Sequence, residues 1–134
     1  MDAAPLMKLA RAAGKRIFLP RLRDKRLEFV VHGIGGKLRR NGFDIPEPVG
    51  AAISLRKLDV VCVPLVAFDR SGRRLGMGGG FYDRTFAKKR NTQRPLLIGL
   101  AYAFQELALL PCERWDVPLS GVVTERKGMR VLKT

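Results

Sequence analysis

A chain of 134 residues with 46% hydrophobic content is long enough to bury one modest core and scarcely two, which excludes a multidomain assembly. No 18-residue apolar run occurs and the start lacks a signal-like hydrophobic stretch, so a membrane protein is not expected and a cytoplasmic one is. One His and two Cys without metal-ligand spacing leave no zinc cluster and no Ser-His-Asp or Cys-His set, while a net charge of +14 attracts polyanions.

In chain order, the first predicted element is a helix from Pro5 to Ala13, with Pro5 in its first turn and Gly14 as its stop. A strand is expected over Arg16 to Leu19, and LEFVVH gives another over Leu27 to His32, where His32 reads as structural. The glycines and prolines of Gly33 to Pro48 argue for a loop without regular structure, and a short helix is allowed over Gly50 to Lys57. Asp59 to Leu65 (DVVCVPL) is a nearly continuous apolar run and reads as a central strand. A glycine-rich loop, a helix from Tyr82 to about Arg90 and a strand over Leu96 to Ala101 complete a βαβ unit. Its ligand should lie beyond the C-terminal end of the first strand. Gly121 to Thr124 and Met129 to Leu132 add short strands. Cys62 and Cys112 are read as buried or half-buried free thiols of a reducing compartment, and Trp115 as core or pocket wall.

The run RLGMGGGFYD, Arg74 to Asp83, is the richest in chemistry. Glycines without side chains let a ligand approach the backbone and allow positive φ angles that turn successive N–H groups toward an anion. A following helix N-terminus and the Arg74 guanidinium add positive charge, so a di- or triphosphate suits the loop. A carboxylate there, Asp83, makes sense as a ligand for magnesium bridging to phosphate oxygens. The plainer alternative is a glycine turn with Asp83 as an ordinary helix N-cap.

The larger constellation is VPLVAFDRSGRRLGMGGGFYDR, then PLLIGLAYAFQ, then LPCERWDVPLSGVVTE. It resembles the 5-formyltetrahydrofolate cyclo-ligase family through Pro64, Phe68, Asp69, Gly72, Arg74, Leu75, Gly76, Gly78, Gly80, Phe81, Tyr82 and Asp83. Downstream the likeness continues through Gln105, Pro111, Asp116, Thr124 and Glu125, and upstream it extends weakly through IPEP and GKRIFLPRL. The resemblance implies a three-layer Rossmann-like α/β domain with a mostly parallel sheet, acting as a monomer. It implies an ATP-dependent ring closure of 5-formyltetrahydrofolate to 5,10-methenyltetrahydrofolate with release of ADP and phosphate. Arg74, Leu75, Gly76, Met77, Gly78, Gly79, Gly80, Phe81 and Tyr82 would then hold ATP, with Arg74 and Tyr82 as catalytic residues. Met77 to Tyr82 would also meet the reduced folate, Phe81 and Tyr82 lying against the pterin, and Asp83 and Asp116 would hold Mg2+. Asp116 in WDVP has a second reading, the cap of a turn before Pro118. A reaction whose substrate supplies its own nucleophile needs positioning and charge neutralisation, which agrees with the missing catalytic triad.

Departures from the family pattern are Leu65 after Pro64 where Gly is usual, Phe81 in place of the first Tyr, and Trp115 where relatives often carry His. At the start, MDAAPLMKLARAAGKR reads as beginning inside a Glu-x-Asp-Thr motif, with Asp2 on its Asp. The chain is therefore expected to be N-terminally short, lacking the family's basic helix and first strand, as an internal valine-type start would produce. Residues 1–41 carry eleven Lys/Arg against three Asp/Glu, a net +8, which keeps a second class open: an impaired fragment binding ATP or RNA through its basic face. Such charge more often coats a solvated surface, and no aromatics interleave it on strands.

Overall fold

Good helix formers with a proline where no backbone donor is needed build α1, Ala4–Ala12, in the computed structural model, which describes residues 3–33, 36–76, 78–87, 94–126 and 128–130. Gly14 follows with φ of 76°, and the Lys15 N–H returns to the Ala10 carbonyl at 2.9 Å, closing the helix end as the sequence predicts. Asp2 and Met1 lie outside the described residues. The chain falls into two compact units, Met1–Leu55 and Arg56–Thr134.

In the first unit, β1 (Phe18–Arg23) and β2 (Arg26–Val31) form an antiparallel hairpin in register from Phe18↔Val31 to Arg23↔Arg26. Strand β1 starts later and runs longer than the expected Arg16 to Leu19, because its pairing with β2 carries it to the Asp24 turn, where φ is 54°. The Arg21 guanidinium meets Glu28 at 2.7 Å and the Gly50 carbonyl at 2.8 Å, while Glu47 accepts from the Leu22 N–H at 2.7 Å.

Two expectations fail in this unit. The supposed loop of Gly33 to Pro48 contains a second hairpin, β3 (Leu38–Arg40) with β4 (Pro46–Pro48). Its turn is organised by Asn41, whose Oδ1 accepts from the N–H groups of Phe43 (2.8 Å) and Ile45 (3.1 Å). Because Asn41 N–H bonds the Ile45 carbonyl at 3.0 Å, the alternating ladder puts Pro46 and Pro48 at positions that need no N–H. Instead of a helix over Gly50 to Lys57, β5 (Ala52–Ile53) pairs antiparallel with Phe29 and Val30 of β2, followed by a 3-10 turn, Leu55–Lys57. Pairing with a strand whose Phe29 and Val30 are buried outweighs a weak local preference.

The second unit holds a four-stranded sheet of order β11-β10-β9-β6. Strands β6 (Val60–Val63), β9 (Leu96–Leu100) and β10 (Gly121–Val123) run parallel, and β11 (Gly128–Arg130) closes the edge antiparallel. The expected α/β class holds, with the parallel pairing confined to this unit among the described residues. Val131 and Leu132 of the last predicted strand lie outside them. Burial alternates along β6, with Val61 and Val63 inside and Val60 and Cys62 outside. Both Cys62 and Cys112 are exposed, against expectation: an apolar run does not by itself say that both faces of β6 are covered, and Cys112 lies in an exposed irregular stretch.

Parallel neighbours need crossovers. The first, between β6 and β9, contains the hairpin of β7 (Ala67–Phe68) with β8 (Arg74–Leu75), the glycine run and α2 (Phe81–Thr85). The second, between β9 and β10, contains residues 101–120. Both leave the sheet at the same end, the C-terminal end of the parallel strands, where open α/β sheets bind ligands. Helix α2 begins one residue before the expected Tyr82 and is α-helical only through Thr85; Phe86 and Ala87 form a turn, and 88–93 lie outside the described residues.

Gly99 of β9 is a tight point of this core: a methyl carbon there would lie 2.7 Å from Leu65 Cδ2 and 3.0 Å from Leu119 Cδ1, both on buried side chains. Gly99→Ala should lower unfolding stability by about 1–3 kcal/mol in a urea titration, since two buried leucine side chains must shift to admit the methyl group. An unchanged midpoint would show that the sheet yields there.

Candidate functional site

The site grows from the β7–β8 hairpin. Asp69 ends β7 fully buried, and its Oδ1 accepts from the N–H groups of Ser71 (2.9 Å) and Arg73 (3.1 Å), shaping the DRSGR turn. Its Oδ2 accepts from the N–H of Leu110 at 2.9 Å, in the second crossover. Arg73 Nη1 donates to the carbonyl of the same Leu110 at 3.1 Å, and Leu119 N–H donates to the Gly72 carbonyl at 2.8 Å. Gln105 fastens the approach to the hairpin: its Nε2 donates to the carbonyls of Leu65 (3.2 Å) and Val66 (3.1 Å), and its Oε1 accepts from Tyr102 N–H. Glu125 holds the Ala103 N–H at 2.6 Å.

Arg74, in β8, has a side chain only 8% exposed, so its charge needs a partner. Asp83 supplies it, with Oδ1 3.0 Å from Arg74 Nη2, and the same oxygen accepts from the Val117 N–H at 3.0 Å. The Tyr82 ring lies under the guanidinium, 5.8 Å from Arg74 Cζ to the ring centroid. Arg74 Nε is buried without an acceptor among the described residues. Burial pushes the Tyr82 phenol above its ordinary value; Arg74 opposes this and Cys62 adds to it. The phenol is therefore a neutral donor at physiological pH.

The glycine run adopts the positive φ angles that its composition allows. Gly78 and Gly80 take positive φ angles of 95° and 69°, Gly80 serving as the N-cap residue of α2. A Cβ on Gly79 would lie 2.7 Å from the Phe81 ring. Among the described residues, no hydrogen bond uses the N–H of Gly78, Gly79 or Gly80. Arg84 folds back over this turn, with Nη2 2.6 Å from the Gly79 carbonyl and its guanidinium 5.1 Å from the Phe81 centroid. Met77 lies outside the described residues. Asp83, in the first turn of α2, is not the N-cap, since Gly80 occupies that position without a side-chain cap bond.

A cleft of about 360 Å³ opens beside this cluster, between Ser71, Arg73 and Arg74 on one side and the Pro111–Pro118 segment on the other. Arg114 and Asp116 line that second wall. Asp116 Oδ2 accepts from Glu113 N–H at 2.9 Å and its own N–H returns to the Glu113 carbonyl at 3.0 Å, which is the turn-capping geometry. Trp115 is 64% exposed and so is not core. The fold thus joins Arg74, Tyr82 and Asp83 directly and brings Asp116 beside Val117, the residue that Asp83 holds. Sequence motifs named Asp69 and Gly72 without assigning them work, and Arg73 was not singled out at all. The FDRSG pattern was the available signal for the turn, whereas its tie to Leu110 spans 41 residues and leaves no local trace.

Residues 1–125 match the model of the 5-formyltetrahydrofolate cyclo-ligase family. Among similar proteins, the 5-formyltetrahydrofolate cyclo-ligase of Escherichia coli K12 is 41% identical over 133 residues, covering 95% of this chain and 72% of that protein. The Haemophilus influenzae cyclo-ligase is 47% identical over 89 residues, covering 64% of this chain and 47% of that protein. The solved structure of Aquifex aeolicus 5,10-methenyltetrahydrofolate synthetase superposes with a TM-score of 0.81 at 32% identity, covering all of this chain and 67% of that one. With a match that spans nearly its whole length and a shared fold, the chain belongs to the 5-formyltetrahydrofolate cyclo-ligase family.

Proposed function

We propose that this chain closes 5-formyltetrahydrofolate to 5,10-methenyltetrahydrofolate with consumption of ATP. The observation that carries the reading is the Arg74 guanidinium held between Asp83 and the Tyr82 ring, beside glycines whose N–H groups have no acceptor among the described residues, all inside the family match. The formyl oxygen attacks the γ-phosphorus and ADP departs; the anilino nitrogen then attacks the activated formyl carbon, loses its proton to solvent, and phosphate departs. The substrate supplies the nucleophile at both steps, so the protein's work is orientation and charge neutralisation.

Arg74, Leu75, Gly76, Met77, Gly78, Gly79, Gly80, Phe81 and Tyr82 form the proposed triphosphate and folate site. The N–H groups of Gly78 to Gly80 donate to phosphate oxygens, and the Arg74 guanidinium on the cleft wall offers positive charge to the transferred group. Phe81 and Tyr82 give the pterin an aromatic surface, the neutral Tyr82 phenol serving as a donor. Asp83 and Asp116 are the proposed Mg2+ residues. Each uses one carboxylate oxygen in the hydrogen bonds described and retains a second. No cluster of three or more metal-binding side chains exists among the described residues, which suits a cation that takes one or two carboxylates and completes its shell with phosphate oxygens and water. When bound, magnesium would neutralise the phosphate charge. Among the described residues no helix is long and apolar enough to cross a membrane.

Three outcomes test this reading. With Mg-ATP and 5-formyltetrahydrofolate, the purified chain should form the methenyl product, followed by its near-ultraviolet absorbance, and Arg74→Ala should lower kcat/KM by about 100-fold; a folded chain without turnover sinks the proposal. Because the Tyr82 phenol titrates above its usual value of about 10, the kcat profile from about pH 6 to about pH 9 should keep its shape in Tyr82→Phe while its height falls. A limb in that range that disappears in the variant would make Tyr82 a titrating acid or base. Asp83→Ala strips Arg74 of its partner and Val117 of its acceptor and should cost about 2–3 kcal/mol of stability, discounted for the 20% exposure of Asp83. Asp83→Asn, which still accepts from Val117, should cost about 1 kcal/mol and raise the magnesium concentration needed for half-maximal rate.

A further inference from the structure

We propose that Asp69 is a positioning residue, whose carboxylate sets where the Pro111–Pro118 wall stands relative to Arg74 across the cleft. The inference deepens the cyclo-ligase reading and rests on it. Among the described residues Asp69 is the one charged residue wholly out of solvent, at 0% exposure, and removing a carboxylate from water is unfavourable unless its oxygens are hydrogen-bonded. The DRSGR turn uses only Oδ1, through Ser71 and Arg73, and an Asn side chain would serve that turn equally well. The second oxygen is the part that a turn does not need, and it accepts from Leu110, 41 residues away. An amide that kept the Oδ1 bonds would set its NH2 against the Leu110 N–H, donor against donor. The carboxylate is therefore required for the tether and not for the turn.

The wall depends on that tether. Pro111, Cys112, Glu113, Arg114 and Trp115 are exposed, so the segment has no apolar anchor between Leu110 and Val117, both buried. Its start is held by Asp69 and Arg73 at Leu110, and its end by Asp83 at Val117 and the Gly72 carbonyl at Leu119. Release at Leu110 would free Arg114 and Asp116 to move relative to Arg74 while leaving the sheet intact.

The test uses Asp69→Asn in the full chain, with the fluorescence of Trp115, the single tryptophan of the sequence, as a reporter on the wall. The variant should unfold cooperatively, show lower Trp115 anisotropy and easier quenching, and lose about 10- to 100-fold in kcat with the KM for Mg-ATP changed less than about threefold. Val122→Ala, in the core of β10 and off the wall, should lose stability while keeping wild-type Trp115 anisotropy and wild-type kcat per folded molecule. If Asp69→Asn does not fold, Arg73→Ala carries the test, because it removes the other bond to Leu110 and should shift Trp115 and kcat in the same directions. A kcat loss that only follows the folded fraction, or unchanged Trp115 signals in both variants, overturns the proposal. Absence of turnover in the unaltered chain would instead defeat the cyclo-ligase reading, and the tether would then stand or fall on Trp115 mobility alone.

Discussion

Two carboxylates and one carbonyl on the first crossover receive three backbone N–H groups of the second, and the candidate site depends on those three bonds. Asp69 holds Leu110, Asp83 holds Val117 and Gly72 holds Leu119. The segment between them contributes few buried side chains, so hydrogen bonds rather than apolar packing decide its position. A carboxylate suits this work because it accepts several N–H bonds at once in fixed directions, and bonds to an ionised acceptor are stronger than those between neutral groups. Gln105 extends the same logic to the start of the hairpin, its amide fastening the Leu65 and Val66 carbonyls.

Electrostatics inside the cluster are balanced locally. Arg74 is too buried to keep its charge unpaired, and Asp83 answers it from the first turn of α2, only nine residues downstream. Because the same Asp83 oxygen also holds Val117, neutralising Arg74 and anchoring the wall are one arrangement. The unused N–H groups of the glycine run then stand as donors without acceptors among the described residues.

The placement of these parts follows from the sheet. Strands β6, β9 and β10 are parallel, so the crossovers after β6 and β9 must both emerge at one end, and segments separated by about 40 residues meet there. Gly99 permits the close packing beneath them, since Leu65 and Leu119 fill the space where its side chain would be.

Local chemistry made much of this legible in advance. The Pro5–Gly14 helix, the LEFVVH strand and the strand–glycine loop–helix–strand order follow from residue types at short range, where backbone freedom and periodicity dominate. Short range also misled. Prolines concealed the β3–β4 hairpin because their tolerance depends on which ladder positions need an N–H, and the apolar DVVCVPL run concealed that Cys62 faces outward. What the sequence determined by itself was therefore the family, the βαβ order and the positive-φ glycines of the loop between them. Only the tertiary structure decided that Asp83 pairs with Arg74 and Val117, that Asp69 reaches Leu110, and that the turn which Asp116 caps, one of its two sequence readings, stands on the cleft wall. Those partners lie 9 to 41 residues away or depend on how a turn closes, and no local pattern encodes which N–H a carboxylate will meet once the chain has folded.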